Sequence, residues 1–391
     1  MNTVNQNVYK IYAHGFFYMF LVIVPIIVPF FESHGLSMSE ILFVQGIFGI
    51  TVAIFEVPSA YLGDIWGRKQ ILTLGSFITA LGFSSLQFVH GFWGILAYEV
   101  FLGIGASFIS GADLSILYDS LEENRIVRMK SMGHFHALQL IGESIAALVC
   151  AALVIKSMKL VLWAQILVGW LPFFISLTIH EPSIERMEGS HYDNIRSVFH
   201  HIFKDDRLLR QLFMNMTLWS VATFTAVWLI QKYWQSTGYD ISLLAFFWCT
   251  CNLTAAFVGK LAPYLENKFG TIKLLYFLSF CSIFAYFSMG LMAPFLGIFF
   301  ALLFYVSRGL NFTLYKEGFN HRVPAKFRNT ANSISSLFFR LFFFTLGPIV
   351  GVIIDQFGIQ YGLLTLGSFF IGVGLFLLRP FVRNYEQTTD N

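Results

Sequence analysis

Residues 61–69 read Tyr61-Leu62-Gly63-Asp64-Ile65-Trp66-Gly67-Arg68-Lys69. One acid, two glycines and a basic pair are packed between two long apolar runs, near 41–62 and 71–89. A linker this short holds no soluble domain. It is a turn at the end of two helices, with Gly67 free to take the backbone angles a tight turn needs.

Outward from that turn the chain is apolar almost throughout. Of its 391 residues 56% are hydrophobic and 12% charged, against about 25% charged in an ordinary soluble domain. A water-facing surface cannot be assembled from so few charges, whereas 46 Phe and eight Trp suit lipid-facing and interfacial positions. The net charge of +3 points to no nucleic-acid partner. The four cysteines, Cys150, Cys249, Cys251 and Cys281, lie inside apolar runs without metal-ligand or disulfide spacing, so they are expected to pack. The polar start, MNTVNQNVYK, lacks the features of a cleaved signal, so the first apolar run is expected to be retained.

A helix needs about 20 mostly apolar residues to cross a bilayer core. Twelve runs qualify, near 11–31, 41–62, 71–89, 92–115, 133–155, 160–180, 208–231, 241–262, 273–292, 295–315, 330–354 and 361–379. The polar stretch 181–207 divides them into two sets of six, giving an N-terminal bundle (1–180), a central loop (181–207) and a C-terminal bundle (208–391). Of the 25 Lys and Arg, only Lys156, Lys159 and Lys232 fall in the loops of one side. The other side takes Lys10, Arg68, Lys69, Arg125, Arg128, Lys130, Lys268, Lys273, Lys316, Lys326, Arg328, the central loop and the tail. The positive-inside bias therefore places both termini and the central loop in the cytoplasm. The halves echo one another: LGDIWGRKQIL follows the second run and LAPYLENKFGTIKLL the eighth, each with an acid (Asp64, Glu266), a glycine (Gly67, Gly270) and a base (Lys69, Lys273).

Leu62, Gly63, Asp64, Gly67, Arg68 and Lys69 fill positions that make the turn resemble the signature loop of the major facilitator superfamily, between its second and third helices. Ala60 stands where the first glycine is usual and Ile65 where the first arginine is usual. The resemblance implies an all-α integral membrane protein with 12 transmembrane helices in two pseudo-symmetric six-helix bundles. Ser110–Leu121 and the Glu56–Pro58 pair resemble a poorly characterised bacterial group of that family. In such a fold Asp64 is expected at the positive N-terminus of the helix starting near Thr330. Arg68 is expected to pair with Asp119 or Asp113. Together with Gly67, Lys69 and Glu56 these form a cytoplasmic latch.

Charges inside spans are costly, about 2.5–3.5 kcal/mol at the bilayer centre on insertion scales, so each is a functional candidate. Glu56, Glu99, Asp113 and Glu143 lie in the N-terminal half, Arg308 and Arg340 in the C-terminal half. On an unbroken helix, Glu99 and Asp113 share one face about 21 Å apart. Glu143 and Glu99 are the expected proton-exchange groups, since desolvation favours a protonated carboxyl. Arg340, Arg308 and Asn311 are the expected substrate ligands. Glu143 and Arg340 both fall near mid-depth, as two walls of a central cavity. The alternative is that such pairs are buried bridges holding helices in register. His14, His134 and His136 sit near helix starts and read as interfacial anchors. Gly347-Pro348-Ile349-Val350-Gly351 has small-xxx-small spacing that admits close helix contact. No phosphate-binding loop, nucleophile triad or metal cluster occurs, so an enzyme, a metal site or a cofactor is not expected.

The expected function is secondary transport of a small organic solute across the cytoplasmic (inner) membrane by alternating access, coupled to protons, with the chain acting as a monomer in the bilayer. Efflux of an amphipathic metabolite or drug is slightly favoured. The alternatives are transport of a carboxylate-bearing solute such as a siderophore or organic acid, and a non-transporting receptor or scaffold.

Overall fold

The computed structural model describes residues 3–121, 125–181, 199–324 and 328–389. The described residues are helical, with no strand among them. Among the described residues ten helices are long and apolar enough to cross a membrane, and Val24–Ser33 is a shorter apolar helix. The chain divides into two compact units, one made of Met1–Leu36, Phe43–Met187 and Asp240–Asn252, the other of Ser37–Leu42, Glu188–Tyr239 and Leu253–Asn391.

Helices α1 (Thr3–Tyr18), α2 (Ile27–Ser33), α3 (Met38–Trp66), α4 (Arg68–Ser85), α5 (Gly91–Ile109), α6 (Ala112–Asp119), α7 (Arg125–Val154), α8 (Met158–Gly169) and α9 (Leu171–Leu177) form the first half of the chain. The second half comprises α10 (Arg207–Gln235), α11 (Ile241–Phe269), α12 (Thr271–Leu291), α13 (Pro294–Gly297), α14 (Leu302–Arg322), α15 (Arg328–Phe357), α16 (Ile359–Val373) and α17 (Arg379–Thr389). The echo seen in sequence is a register: α11 begins and ends 203 residues after α3 (241 − 38; 269 − 66), and α15 does the same relative to α7 (328 − 125; 357 − 154). Both members of the first pair carry an internal proline, Pro58 and Pro263. Each ends at a glycine with positive φ, Gly67 at 104° and Gly270 at 82°.

The expected first span, 11–31, is not one helix. It stops at Tyr18 and resumes through a 3₁₀ turn at Val24–Ile26. Pro25 has no N–H to give and disfavours helical geometry before it, and the Gln165 Oε1 accepts the Ile23 N–H at 3.2 Å. A break in lipid is tolerated only where other protein groups satisfy the backbone in this way. The expected span at 92–115 is also broken, at Ser110–Gly111, where Gly111 has φ 87°. The continuous helix that would have stacked Glu99 and Asp113 on one face is therefore absent. The span near 160–180 is divided at Trp170, before Pro172.

Within the first unit α4 and α5 touch through glycine. A Cβ on Gly105 would lie 2.2 Å from Thr79 Oγ1 and 2.9 Å from the Gly75 carbonyl, and one on Gly75 would lie 2.9 Å from the Gly105 carbonyl. In the second unit, a Cβ on Gly351 would lie 2.4 Å from Ser39 Cα, and one helical turn further on Asp355 caps the start of α3. Its two carboxylate oxygens accept the Met38 and Ser39 N–H groups, each at 2.9 Å. The Gly347–Gly351 spacing thus serves close contact with segment 37–42. Valine at Gly105 is expected to cost about 1–3 kcal/mol through overpacking, read as a lowered thermal midpoint in detergent. An unchanged midpoint would mean that α4 and α5 are not pressed together there.

Candidate functional site

The turn at residues 61–69 holds a charge cluster built at the ends of three helices of the first unit. Arg68, the first residue of α4, forms an ion pair with Asp119 at the end of α6. Glu181, just after α9, accepts the backbone N–H groups of Arg68 at 2.8 Å and Lys69 at 2.9 Å. An anion at a helix N-terminus satisfies orphan N–H groups and meets the positive end of the helix dipole. Gly67 is needed twice over: its φ is 104°, and a Cβ there would lie 2.9 Å from the Glu181 carboxylate. Nearby, buried Asn7 ties three helix ends together. Its side-chain N–H donates to the His180 carbonyl at 2.9 Å, and its Oδ1 accepts the His180 N–H at 3.0 Å. It also approaches Ser120 Oγ at 3.4 Å.

Of the two acids expected for Arg68, Asp119 is the partner. Asp113 is buried at the start of α6, where it accepts the Leu114 N–H at 2.6 Å. The Asp64 side chain lies outside the described residues, as do residues 182–198 of the central loop and the Arg328 side chain. Glu56 is half-buried two residues ahead of Pro58, which lacks an N–H for the α3 hydrogen-bond ladder.

The intramembrane acids occupy different settings. Glu99 is buried and accepts the Gln45 side-chain N–H at 2.5 Å, tying α5 to α3. Glu143 is half-buried, twelve residues into the span Ser131–Val154 and eleven from its end, and the Trp248 indole N–H points at it from 3.4 Å. His14 is fully buried against Ser76 Oγ at 2.9 Å. It is a core contact between α1 and α4, not the interfacial anchor its position in the sequence suggested. His134 and His136 are exposed.

The bases of the second unit also differ. Arg340 is half-buried on α15, with Nε 3.2 Å from Ser336 Oγ. Arg308 lies at the middle of the span Pro294–Arg322, fourteen residues from either end, is exposed, and has no hydrogen bond or ion pair with a described residue. One turn on, Asn311 is buried; its Oδ1 accepts from Ser220 Oγ at 3.4 Å, and its Nδ2 has no partner among the described residues. A guanidinium and an amide N–H separated by three residues share a helix face. Both donate and neither is engaged. That arrangement binds acceptors, and a carboxylate offers them with the matching charge.

Sequence reasoning missed Glu181, Asn7, Gln45, Ser220, Trp248 and Asp355. Glu181 carried a usable signal, as the first acid after the sixth apolar run. The others are polar residues without a motif.

Long apolar helices, a 203-residue internal register and buried polarity on broken helices define a multi-pass membrane protein with the fold of solute transporters. The profile of the Major Facilitator Superfamily matches residues 11–316, and the chain belongs to that family. It is similar to an uncharacterized transporter of Buchnera aphidicola, 37% identical over 100 residues, covering 25% of this chain and 23% of that protein. It resembles the inner membrane transport protein YajR of Escherichia coli, 32% identical over 117 residues (29% and 25%). The probable L-galactonate transporter of the same species is 26% identical over 148 residues (38% and 30%). The chain thus spans about a quarter to a third of the length of these curated relatives. Among solved structures, a mutant of the nucleoside transporter NupG superposes with a TM-score of 0.80 at 14% identity, over 98% of this chain and 99% of that one. A bacterial homolog of the human lysosomal transporter Spinster, inward-facing and unoccupied, gives 0.76 at 16% identity, over 98% of each. These likenesses are of fold.

Removing the Glu181 carboxylate (Glu181→Ala) is expected to cost about 1 kcal/mol, as loss of a cap does. A double-mutant cycle on Arg68 and Asp119, both partly solvated, is expected to return about 0.2–1 kcal/mol. Thermal unfolding in detergent reads both. A Glu181 variant as stable as the parent would contradict the capping role.

Proposed function

We propose that this protein is a secondary transporter that carries a small carboxylate-bearing solute across the cytoplasmic membrane by alternating access, coupled to protons. The observation that carries the solute class is Arg308. A guanidinium at the centre of a span cannot face hydrocarbon cheaply, so an exposed and unengaged one faces water along the solute's route. With the free amide of Asn311 it forms half of an anion site. The name of one relative, the probable L-galactonate transporter of Escherichia coli, belongs to a sugar acid and supports the same class. An amphipathic drug needs no such donor pair, so the geometry favours the carboxylate over the efflux reading.

Glu143 is the proposed proton-exchange group, at mid-depth with a single long indole contact to its carboxylate. Glu99, held by Gln45, serves as a structural tie. Arg340 is proposed as a second charge on the route. The Arg68–Asp119–Glu181 cluster, in the same turn as Asp64, is the proposed cytoplasmic latch, in an orientation with both termini inside.

Purified protein in liposomes is expected to take up a labelled sugar acid and not the matching sugar alcohol. Arg308→Ala should lower that flux at least about tenfold, the loss expected for one charged hydrogen bond, while Arg308→Lys retains part of it. Equal flux of acid and alcohol would remove the anion site. Glu143→Gln should abolish the response to an imposed pH gradient and leave solute exchange intact. A response that persists would assign the proton to another group.

A further inference from the structure

The second unit holds a cavity of about 390 Å³ that none of the transport residues above lines. It lies where the last turns of α14 meet the start of α12 and the helix α17, at the end of the unit that carries the Gly270 turn. Its floor is apolar, from Leu275 and Leu314, and three aromatic residues, Tyr315, Phe381 and Tyr385, contribute to its wall.

The charges around it do not cancel. Arg322 is already committed, with its guanidinium 3.3 Å from Asp206. Glu266 accepts the Thr271 hydroxyl on one oxygen, at 2.7 Å. Glu317 and His321 have neither a hydrogen bond nor an ion pair with a described residue. Two carboxylates, Glu266 and Glu317, thus line a space in which Arg322 is already paired with Asp206. The second observation is independent of charge. Tyr315 is fully buried in the wall, and its hydroxyl has no hydrogen-bond partner among the described residues. A buried phenol left unsatisfied costs free energy that a bound N–H or O–H group restores.

We infer that this cavity is a binding site for an organic ammonium ion, separate from the solute route. Aromatic faces attract a cation through the ring quadrupole, carboxylates supply the countercharge, and an apolar floor takes the hydrocarbon body. A metal ion is a poor fit. No group of three His, Cys, Asp or Glu side chains able to hold one occurs among the described residues. An anion fits no better, since it would meet Glu266 and Glu317. The site stands whether or not the transported solute is a carboxylate.

The test uses the full chain in detergent and three probes of one shape: phenethylamine, protonated at neutral pH; 2-phenylethanol, its neutral isostere; and phenylacetate, its anionic counterpart. The amine alone is expected to raise the thermal midpoint, as a ligand of the folded state does. The Glu266→Gln/Glu317→Gln double variant should bind it roughly tenfold more weakly, the effect of losing a close countercharge. Arg308→Ala should bind it as the parent does. Equal stabilisation by the alcohol or by phenylacetate, full binding by the double variant, or loss of binding in Arg308→Ala would each overturn the assignment. If the double variant does not fold, hydrogen exchange on the parent chain decides. Amine-dependent protection confined to 266–275 and 314–322 supports the site, and its absence there contradicts it.

Discussion

Inside a bilayer, each backbone or charged group must find a protein partner or water, because hydrocarbon offers neither donor nor acceptor. The rest of this structure follows from that constraint. Where the first span breaks, Gln165 takes the freed Ile23 N–H. Where α4 starts, Glu181 takes the N–H groups of Arg68 and Lys69. Where α3 starts, Asp355 does the same for Met38 and Ser39. Against that background Arg308 stands out as an exposed mid-span charge without a partner among the described residues. In the proposed function it faces the route of water and solute.

The register of 203 residues keeps the helices in step while the chemistry diverges. Asp119 ends α6 and pairs with Arg68; 203 residues later Arg322 ends α14 and pairs with Asp206. The sign of the terminal charge is reversed, and an ion pair forms in both places. At the matching turns, α4 is capped by Glu181 from another helix. At the start of α12, Thr271 instead bonds the nearby Glu266. That leaves Glu266 an oxygen for the cavity beside it.

The fold was legible from the chain because its evidence is repetitive. Apolar runs of span length, a basic bias on one side, and the Gly67 and Gly270 turns carry the same information many times over. Breaks were harder to read. Pro25 and Gly111 were visible, but an apolar run looks continuous whether or not its backbone is, so Glu99 and Asp113 appeared to share a face. The Arg68 pairing was legible only as a choice between two acids, since both lie on α6 and only the fold brings its last residue, and not its start, to the guanidinium. Partners such as Asn7, Gln45 and Asp355 have no local signature. Each acts on a residue more than fifty positions away, which no spacing encodes. Arg308 is visible in the sequence as a charge in a span, and its distinctive property, the lack of a partner among the described residues, belongs to the folded chain alone.

The account turns on Arg308 facing an aqueous, solute-filled route. The direct measurement is modification of an Arg308→Cys variant by a charged, membrane-impermeant thiol reagent, with the parent and its four buried cysteines as the background. Rapid labelling that a sugar acid slows and the matching sugar alcohol does not is the predicted result. A cysteine at 308 that stays inert to the aqueous reagent while a lipid-soluble maleimide reacts would place this face in hydrocarbon and contradict the account.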